Sequence, residues 1–426
     1  MKNLRFSALF AAAIVVSAVM HAPAAESAEK ICPQITTPTD TAVSWWPTAS
    51  EWQSARATTA KMSDDKLARS SLIVTYAGTT TKYSRAQKAS NKKHLGKEKT
   101  LPALEAFQPS GVVLFPGNAS SAKQAFSEKR NLATVLPPWM VISVDQEGGP
   151  VSRLTGDIEP PVAAPKVGDR DSIEKSTQVA MHAGRQLRAA GVNWTLAPVL
   201  DVESKTSSRA LAGRMFSTNA QKVGELASAQ IIQYNLEGVT PVIKHFPGLG
   251  SIKNDTHTAI SKYPHSLSRL CKIDLKPFRL AITAGATALM VGHGVYPSLG
   301  EAAASGNARI LKDLLRTEMR YEGIIVTDSM SMDGATAGLQ RSQNLYVRSL
   351  KAGVDVILMP GNPTIALQGI KKALETGKLS RAERRESIAR LIAFRLAQQR
   401  VADTAQKFPA GSNFLVTEAQ WFALDF

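Results

Sequence analysis

The sequence predicts an α/β protein whose main domain is a (β/α)8 barrel. Eight short, almost continuously apolar segments alternate with helical patterns between residues 71 and 376. Glycine directly precedes several apolar segments, as at Gly191, Gly238 and Gly353, and glycine commonly ends a helix before a returning strand. Strands that are apolar along their whole length are typical of a parallel sheet covered on both sides. Eight such units favour a barrel, with a doubly wound open sheet as the alternative.

The length and composition fit this architecture. At 426 residues the chain is longer than an average domain, but an α/β barrel can exceed about 250 residues as one unit. With 44% hydrophobic and 20% charged residues, the chain has the composition of a folded globular protein.

Residues 1–25 have the parts of a secretory signal peptide. A basic start is followed by an apolar run over residues 6–20 and by small residues that end at Ala25. The run is short for a bilayer span, and an uncleaved membrane anchor is the alternative. We expect cleavage near Ala25, export, and no membrane span in the mature chain.

Residues 26–60 predict an N-terminal extension that wraps the outside of the barrel, because they are rich in Thr, Pro, Ser and Ala. Cys32 lies in this extension, and Cys271 is the only other cysteine. Since export would place both thiols in an oxidising compartment, a disulfide between them is one hypothesis. Two unpaired thiols are the other.

Residues 61–400 are predicted to form the barrel itself. The predicted strands cover residues 71–75, 111–115, 140–145, 192–197, 239–243, 288–291, 323–327 and 354–358. Helices are predicted between them, for example over residues 172–190, 220–236, 309–320, 342–352 and 364–376. The alternating pattern is lost after about residue 400, so residues 401–426 are predicted to form a C-terminal tail.

The formal net charge of +16 indicates partners of opposite sign. Outside the cell this charge favours retention on anionic wall polymers. The chain lacks the interleaved aromatic and basic residues of single-stranded nucleic-acid sites, so we expect no nucleic-acid partner. We expect the protein to act as a monomer.

Polar side chains stand at the carboxyl ends of the predicted strands, where barrels build their active sites. They are Asp145, Asp201, Lys244, His245, His293 and Asp328. A carboxylate such as Asp328 on a rigid strand end is suited to attack a carbon that develops positive charge, as a retaining glycosidase requires. A helix N-cap is the alternative interpretation of Asp328.

Asp255 and His257 lie in a Pro/Gly-framed loop after the fifth predicted strand. An Asp beside a histidine can orient the imidazole and favour its charged form, which prepares the ring to donate a proton to a leaving group. A surface histidine without a role is the alternative.

Residues 145–153 combine acids, two glycines and Arg153 after the third predicted strand. Carboxylate and guanidinium groups make the directional hydrogen bonds that bind sugar hydroxyls. The glycine spacing matches neither a P-loop nor a dinucleotide fingerprint.

Four ordered motifs resemble glycoside hydrolase family 3, and within it the β-N-acetylglucosaminidase (NagZ-like) branch. They are Asp145-Gln146-Glu147-Gly148-Gly149, Lys244-His245-Phe246-Pro247-Gly248, Asp255-Thr256-His257 and Thr327-Asp328-Ser329-Met330-Ser331-Met332. The similarity covers residues 60 to 400. It implies a TIM barrel without the second α/β sandwich domain that many family members carry, because the chain is too short for one.

The resemblance also implies an activity, which is removal of terminal β-linked N-acetylglucosamine with retention of configuration. It makes Asp328 the nucleophile and His257 the acid/base, oriented by Asp255. The residues that resemble the sugar-binding set of the family are Asp145, Arg153, Arg214, Lys244 and His245. No cofactor or metal is implied. Peptidoglycan fragments are the expected substrate, with water as acceptor and phosphate as an alternative.

The chain departs from the family pattern at three positions. It has Leu249 where the family usually has His, Pro150 where it has Arg, and Gly213 where it has Asp. We expect Leu249 to loosen the loop that carries His257, and Gly213 to leave Arg214 less well oriented. These changes bear on substrate preference and efficiency more than on the type of reaction.

Three other functions fit the same residues. The first is a β-glucosidase-type enzyme of the same fold. The second is a metal hydrolase with zinc bound by His245, His257, His293 and Asp328. The third is a cell-wall-binding protein that has lost catalysis.

Overall fold

The computed structural model describes residues 30–32, 43–339 and 344–405. The predicted signal peptide, much of the N-terminal extension and residues 406–426 of the predicted tail lie outside the described residues. Within the described part, no helix is long and apolar enough to cross a bilayer.

The eight predicted strands all form, and they pair in parallel as a (β/α)8 barrel. The strands are β1 Leu72–Val74, β2 Gly111–Leu114, β3 Val141–Val144, β4 Trp194–Thr195, β5 Thr240–Phe246, β6 Ala288–Val291, β7 Ile324–Thr327 and β8 Ile357–Leu358. Their order in the sheet is β8-β1-β2-β3-β4-β5-β6-β7. A parallel bridge between Val326 and Val356 joins β7 to the chain entering β8. The barrel prediction is therefore confirmed, and the open sheet is wrong.

The strands are buried along their whole length, which explains their continuous apolar pattern. All seven residues of β5 are buried, although they include Lys244 and His245. Helices cover the outer face and side chains fill the interior, so an isolated polar group in a strand body would lose its contact with water. Polar residues are therefore concentrated where strands end.

Helices follow the strands and surround the barrel. They are Ala49–Ala60, Asp64–Ser70, Arg85–Leu95, Thr100–Phe107, Ala122–Leu132, Ala164–Arg170, Ile173–Ala189, Ala220–Leu236, Leu275–Thr283, Leu345–Ala352, Pro363–Glu375 and Arg381–Ala405. Two further segments, Leu270–Asp274 and Arg309–Glu318, are π-helical. The five example helices predicted from the sequence correspond to Ile173–Ala189, Ala220–Leu236, Arg309–Glu318, Leu345–Ala352 and Pro363–Glu375.

The described part of the N-terminal extension contains a helix that the composition did not indicate. Helix Ala49–Ala60 begins with a capping box between Thr48 and Glu51. Trp46 and Trp52 both pack edge-on against Phe394, with ring centroids 5.6 and 6.3 Å apart. The extension therefore lies on the long helix Arg381–Ala405, which continues past the predicted end of the domain at residue 400.

Helix Arg381–Ala405 closes the amino-terminal face of the barrel. Arg384 donates hydrogen bonds to the carbonyl oxygens of Val354 and Asp355, just before β8. Arg395 donates to the carbonyl oxygen of Met140, just before β3. These bonds satisfy backbone acceptors at strand starts, where the barrel ladder has ended.

Cys32 and Cys271 are bonded to each other, with Cα atoms 5.7 Å apart. The backbone N–H groups of Ile31 and Cys32 both donate to the carboxylate of Glu318. Residues 30–32 are thus held by the disulfide to the π-helical segment Leu270–Asp274 and by hydrogen bonds to the π-helical segment Arg309–Glu318.

Candidate active site

The predicted site residues come together at the carboxyl ends of the strands. Seven of the eight line one cavity of about 280 Å³: Asp145, Arg153, Arg214, Lys244, His245, His257 and Asp328. The eighth, Asp255, lines an adjoining smaller cavity together with His257 and Asp328. The barrel therefore brings residues from β3, β5, β7 and the intervening loops to one place.

Asp328 follows β7 directly and is mostly buried, with 15% of its side chain exposed. Its Oδ1 accepts a 2.7 Å hydrogen bond from the Ser329 N–H, and its Oδ2 lies 4.0 Å from His245 Nε2. Burial would raise the pKa of this carboxyl, but electrostatic attraction from His245 and Lys244 and the hydrogen bond from the Ser329 N–H hold it below its ordinary value. The carboxylate is therefore ionised at neutral pH, the form that a nucleophile needs.

The N-cap interpretation of Asp328 is wrong. The next helical segment, Asp333–Thr336, begins five positions later, and its N-cap position is occupied by Met332. The Asp328 carboxylate is thus available to a ligand in the cavity.

His245 is oriented by Asp201, a residue to which the sequence assigned no role. Its Nδ1 lies 2.6 Å from Asp201 Oδ2, and the Leu249 N–H donates a 2.6 Å hydrogen bond to Asp201 Oδ1. Asp201 is fully buried. One carboxylate therefore fixes the imidazole, with Nε2 toward Asp328, and the loop that follows β5.

Glu147 joins the two cationic residues of the cavity. It receives a bidentate ion pair from Arg214, at 2.7 and 2.8 Å, and its Oε1 lies 2.6 Å from Lys244 Nζ. Lys244 Nζ also lies 3.1 Å from Asp145 Oδ1. Burial opposes ionisation of Glu147, but the charges of Lys244 and Arg214 lower its pKa to about 2. The motif of residues 145–149 contained Glu147, but its partners lie too far away in sequence to be recognised there.

Arg153 is held beside the cavity by a small hairpin. Strands Gln146–Gly148 and Val151–Ser152 pair antiparallel, and the turn between them uses positive φ angles of 94° at Gly148 and 56° at Gly149. The Arg153 guanidinium carbon lies 5.9 Å from the centre of the Phe115 ring. The hairpin therefore places the Arg153 side chain in the wall of the cavity.

His257 and Asp255 form a pair at the rim of the cavity. Asp255 Oδ1 lies 2.6 Å from His257 Nδ1 and accepts a 2.9 Å hydrogen bond from the His257 N–H. The side chain of His257 is 58% exposed. Because Nδ1 is bonded to Asp255, Nε2 is the nitrogen available to a substrate.

The loop that carries this pair is tied to the segment after β7. The N–H groups of Asp333 and Gly334 donate to the carbonyl oxygens of His257 and Thr256, at 3.2 and 3.1 Å. The loop that carries His257 is thus hydrogen-bonded to Asp333, which follows Asp328 by five positions.

Leu249 is packed inside the loop after β5. Its side chain is 6% exposed, and a Cβ placed on Gly294 would lie 3.1 Å from Leu249 Cδ2. Its backbone is bonded to Asp201. The expected loosening of the loop is therefore absent at Leu249 itself, because apolar packing and the Asp201 carboxylate hold this residue.

Pro150 and Gly213 lie side by side, although they are far apart in sequence. A Cβ placed on Gly213 would lie 3.5 Å from Pro150 Cγ. The two departures from the family pattern therefore fall at one contact. Arg214 is nevertheless oriented, because Glu147 and the carbonyl oxygen of Ala210 accept its N–H groups.

His293 is fully buried with both ring nitrogens engaged. Nδ1 lies 2.8 Å from Ser305 Oγ, and Nε2 lies 3.0 Å from the carbonyl oxygen of Ser329. Burial lowers its pKa. Among residues 30–32, 43–339 and 344–405, no three His, Cys, Asp or Glu side chains are grouped to bind one metal ion, so the zinc hypothesis has no ligand set there.

Comparison with known proteins identifies the family of this chain. The sequence model described as "Glycosyl hydrolase family 3 N terminal domain" matches residues 96–394. The chain belongs to glycosyl hydrolase family 3. It is therefore a glycoside hydrolase by family, and the match spans β2 to β8 of the barrel.

Individual relatives of this family 3 protein are described as β-hexosaminidases or glycosyl hydrolases. A β-hexosaminidase from Hydrogenovibrio crunogenus is 31% identical over 293 residues, which cover 67% of this chain and 80% of that protein. An uncharacterized secreted glycosyl hydrolase from Arthroderma benhamiae is 34% identical over 297 residues, which cover 66% and 83%. The solved structure of a family 3 β-N-acetylglucosaminidase from Paenibacillus superposes with a TM-score of 0.71 at 24% identity, over 85% of this chain and 68% of that one, and shows the shared fold.

Proposed function

We propose that this family 3 protein is a secreted, retaining exo-β-N-acetylglucosaminidase that acts on peptidoglycan fragments. The observation that carries the proposal is that the ionised Asp328 and the Asp255–His257 pair line the same cavity. A double displacement at an acetal carbon requires a nucleophile and a proton donor, and a buried carboxylate and a rim imidazole can fill these two roles. The similarity to β-hexosaminidases supports N-acetylhexosamine as the sugar.

In the first step, an Asp328 oxygen attacks the anomeric carbon and forms a glycosyl ester. The bond from that carbon to the leaving oxygen breaks, and His257 Nε2 donates its proton to this oxygen. Asp255 orients the imidazole in this step because its Oδ1 lies 2.6 Å from Nδ1, which leaves Nε2 for the leaving oxygen. The exposed position of His257 lets a bulky aglycone leave from the rim.

In the second step, neutral His257 takes a proton from water while the water oxygen attacks the anomeric carbon. The ester bond to Asp328 breaks, the carboxylate is restored, and the sugar leaves with its original configuration. Asp145, Arg153, Arg214 and Lys244 are the groups that bind the sugar hydroxyls, since they line the same cavity.

Export and wall retention belong to the same proposal. The signal-like residues 1–25 and the net charge of +16 support them, as does the similarity to the Arthroderma benhamiae relative described as secreted.

The nucleophile assignment is tested with Asp328→Ala and chromogenic β-N-acetylglucosaminide, β-glucoside and β-xyloside substrates. We expect the wild type to prefer the first substrate, and the variant to lose about 1,000-fold or more in kcat, because no glycosyl ester can form. The control is Asp313→Ala, an exposed aspartate outside the cavity. Full activity of Asp328→Ala would refute the mechanism, and a preference for the glucoside would favour the β-glucosidase alternative. Wild type that cleaves none of the three would favour the binding-protein alternative.

The acid/base assignment is tested with His257→Ala. We expect kcat/KM to fall about 100-fold or more on glycosides with alkyl leaving groups. The loss should be much smaller on nitrophenyl glycosides, because the nitrophenolate ion leaves without being protonated. His182→Ala is the matched control, since His182 is an exposed histidine on helix Ile173–Ala189. Equal losses on both substrate types would remove His257 from the proton-transfer role.

A further inference from the structure

Helix Arg85–Leu95 lies at the rim of the barrel face that carries the active site. The chain reaches this helix from the carboxyl end of β1. The Asn91 side chain accepts from the N–H of Ala77, shortly after β1, at 2.9 Å and donates to the Ala77 carbonyl oxygen at 3.0 Å. Thr364, shortly after β8, donates a 3.1 Å hydrogen bond to the His94 carbonyl oxygen. The inner side of the helix is therefore fixed to the segments that leave β1 and β8.

The outer side of this helix and the turn that follows it are strongly basic. Between residues 82 and 99 the sequence has seven Lys or Arg residues and one acid, Glu98. We call these seven cations the basic patch; they are Lys82, Arg85, Lys88, Lys92, Lys93, Lys97 and Lys99. All of them except the half-buried Lys88 are exposed. This stretch alone supplies +6 of the net charge of +16.

The protein compensates little of this charge. Lys92 Nζ lies 3.5 Å from Glu98 Oε1, and both side chains are more than half exposed. The other six cations make no ion pair with any residue that the structure describes. Exposed cations elsewhere on the barrel often have a partner, as Lys262 has in Glu301 at 2.8 Å. The basic patch is therefore a local excess of positive charge.

The basic patch is long and has a depression at one end. Arg85, Lys88 and Lys92 lie on one side of the helix, because positions i, i+3 and i+7 share a face. At about 1.5 Å of rise per residue, this row is about 10 Å long. The depression has a volume of about 360 Å³ and is lined by Lys92, Lys97, Glu98, Lys99 and Pro102. A patch of this length fits an extended ligand with several negative charges better than one small anion.

The side chains of the patch disfavour nucleic acids and membranes as that ligand. Tyr83 is the only Phe, Tyr or Trp between residues 82 and 99, and Lys88 Nζ already lies 5.6 Å from its ring centre. Bases therefore find no row of rings to stack on. The other exposed residues of the helix are Ala86 and Ala89, so it has no large apolar side chain to insert among lipids.

We propose that the basic patch binds a cell-wall polymer that carries a phosphodiester group in each repeat unit. The proposal rests on the proposed function as a secreted, wall-acting enzyme, and it locates the surface that retains the enzyme on the wall. Six of the seven cations are lysines, point charges that bind phosphate oxygens without the paired geometry of arginine. Such contacts suit a flexible chain. Because the patch borders the active-site face, binding through it holds that face near the wall.

The test measures binding of fluorescently labelled poly(glycerol phosphate) to the full chain by anisotropy over a range of salt concentrations. We expect saturable binding that weakens as salt is added, because the bound cations displace the counterions of the polymer. The triple variant Lys93→Gln, Lys97→Gln, Lys99→Gln should bind about tenfold or more weakly at low salt, since three phosphate contacts are lost.

The control is the triple variant Lys61→Gln, Lys351→Gln, Lys378→Gln, which removes the same charge at exposed lysines outside the patch. It should bind within about twofold of wild type, because distant surface charges are screened. Equal weakening by the two triple variants overturns the proposal, as does absence of saturable binding by wild type. Tighter binding of single-stranded DNA, polyglucuronate or phosphatidylglycerol vesicles at matched charge also overturns it.

Hydrolysis of a chromogenic β-N-acetylglucosaminide separates this proposal from the proposed function. Both triple variants should match wild type in this assay, since none of the substituted residues lines the active-site cavities. Hydrolysis without polymer binding overturns the basic patch alone. Polymer binding that depends on the patch, without hydrolysis by wild type, supports the patch and overturns the proposed activity.

Discussion

At the scale of single residues, Glu147 determines the charge balance of the candidate active-site cavity. Its one carboxylate receives Arg214 and Lys244, and both cations are themselves nearly buried. Each cation would be left with an incomplete set of acceptors if the carboxylate were neutral. Glu147 is therefore a positioning residue for two cationic groups that line the candidate active-site cavity.

For Glu147→Gln we expect a loss of about 3 kcal/mol in the free energy of unfolding at neutral pH, because two buried cations lose their shared counter-charge. The pKa of Glu147 is about 2 in the folded protein, below its unfolded value. This carboxylate therefore stabilises the fold fully above the unfolded pKa, and the stabilisation is lost as the pH falls toward 2. We also expect a higher KM. Urea unfolding and steady-state kinetics measure the two effects.

The control is Glu322→Gln, which changes the same charge at an exposed position. A Glu147→Gln variant as stable as this control, with an unchanged KM, would contradict the positioning role.

At the scale of elements, the loop after β5 rests on the π-helical segment Leu270–Asp274. A Cβ placed on Gly248 would lie 2.8 Å from the Cβ of Asp274, so only glycine allows this approach. Asp274 accepts a 2.6 Å hydrogen bond from the Tyr263 hydroxyl, and the Tyr296 hydroxyl donates to the Gly248 carbonyl oxygen at 2.6 Å. The support of the loop thus includes a buried carboxyl group that takes no part in the proposed reaction.

Burial raises the pKa of Asp274 to about 6. Because the folded value exceeds the unfolded one, this group favours the folded state most below the unfolded pKa, and the benefit is lost as the pH rises through about 6. For Asp274→Asn, which stays neutral, we therefore expect greater stability than wild type at about pH 8, by on the order of 2 kcal/mol. The difference should shrink as the pH falls toward about 4.5.

Denaturant unfolding of both proteins across this pH range is the measurement. A difference that stays constant with pH, or a variant less stable than wild type at high pH, would contradict the role of buried charge at Asp274. Asp313→Asn is a control for loss of one exposed carboxylate.

At the scale of the whole molecule, a disulfide joins the start of the described chain to the side of the barrel. The sequence separation of Cys32 and Cys271 is 239 residues. A link that closes so long a loop restricts the unfolded chain strongly. Cys271 also lies in the π-helical segment that ends at Asp274, so the disulfide fastens the segment on which the loop after β5 rests.

For the double variant Cys32→Ser, Cys271→Ser we expect the free energy of unfolding to fall by about 2–5 kcal/mol. Wild type should show two alkylatable thiols by mass spectrometry only after reduction. Reductant should lower the stability of wild type and leave the double variant unchanged. Alkylation of both thiols without reductant would support the free-thiol hypothesis instead.

The sequence by itself determined the eight strands and the residues that stand at their carboxyl ends. Apolar runs and helix-ending glycines such as Gly238 are local signals, so they can be recognised without knowledge of the fold. Because parallel strands end at the same face of a barrel, Asp145, Lys244 and Asp328 were also expected to lie together.

Only the tertiary structure decided which groups meet and in what orientation. Glu147 reaches Arg214 across 67 residues of sequence, Asp201 reaches His245 across 44, and Arg395 reaches Met140 across 255. Such pairs depend on the closure of the barrel and on the path of helix Arg381–Ala405 across its amino-terminal face, and no local pattern encodes either. The physical reason is that a buried charge is satisfied by whatever the fold brings near it, and distance along the chain does not limit that choice.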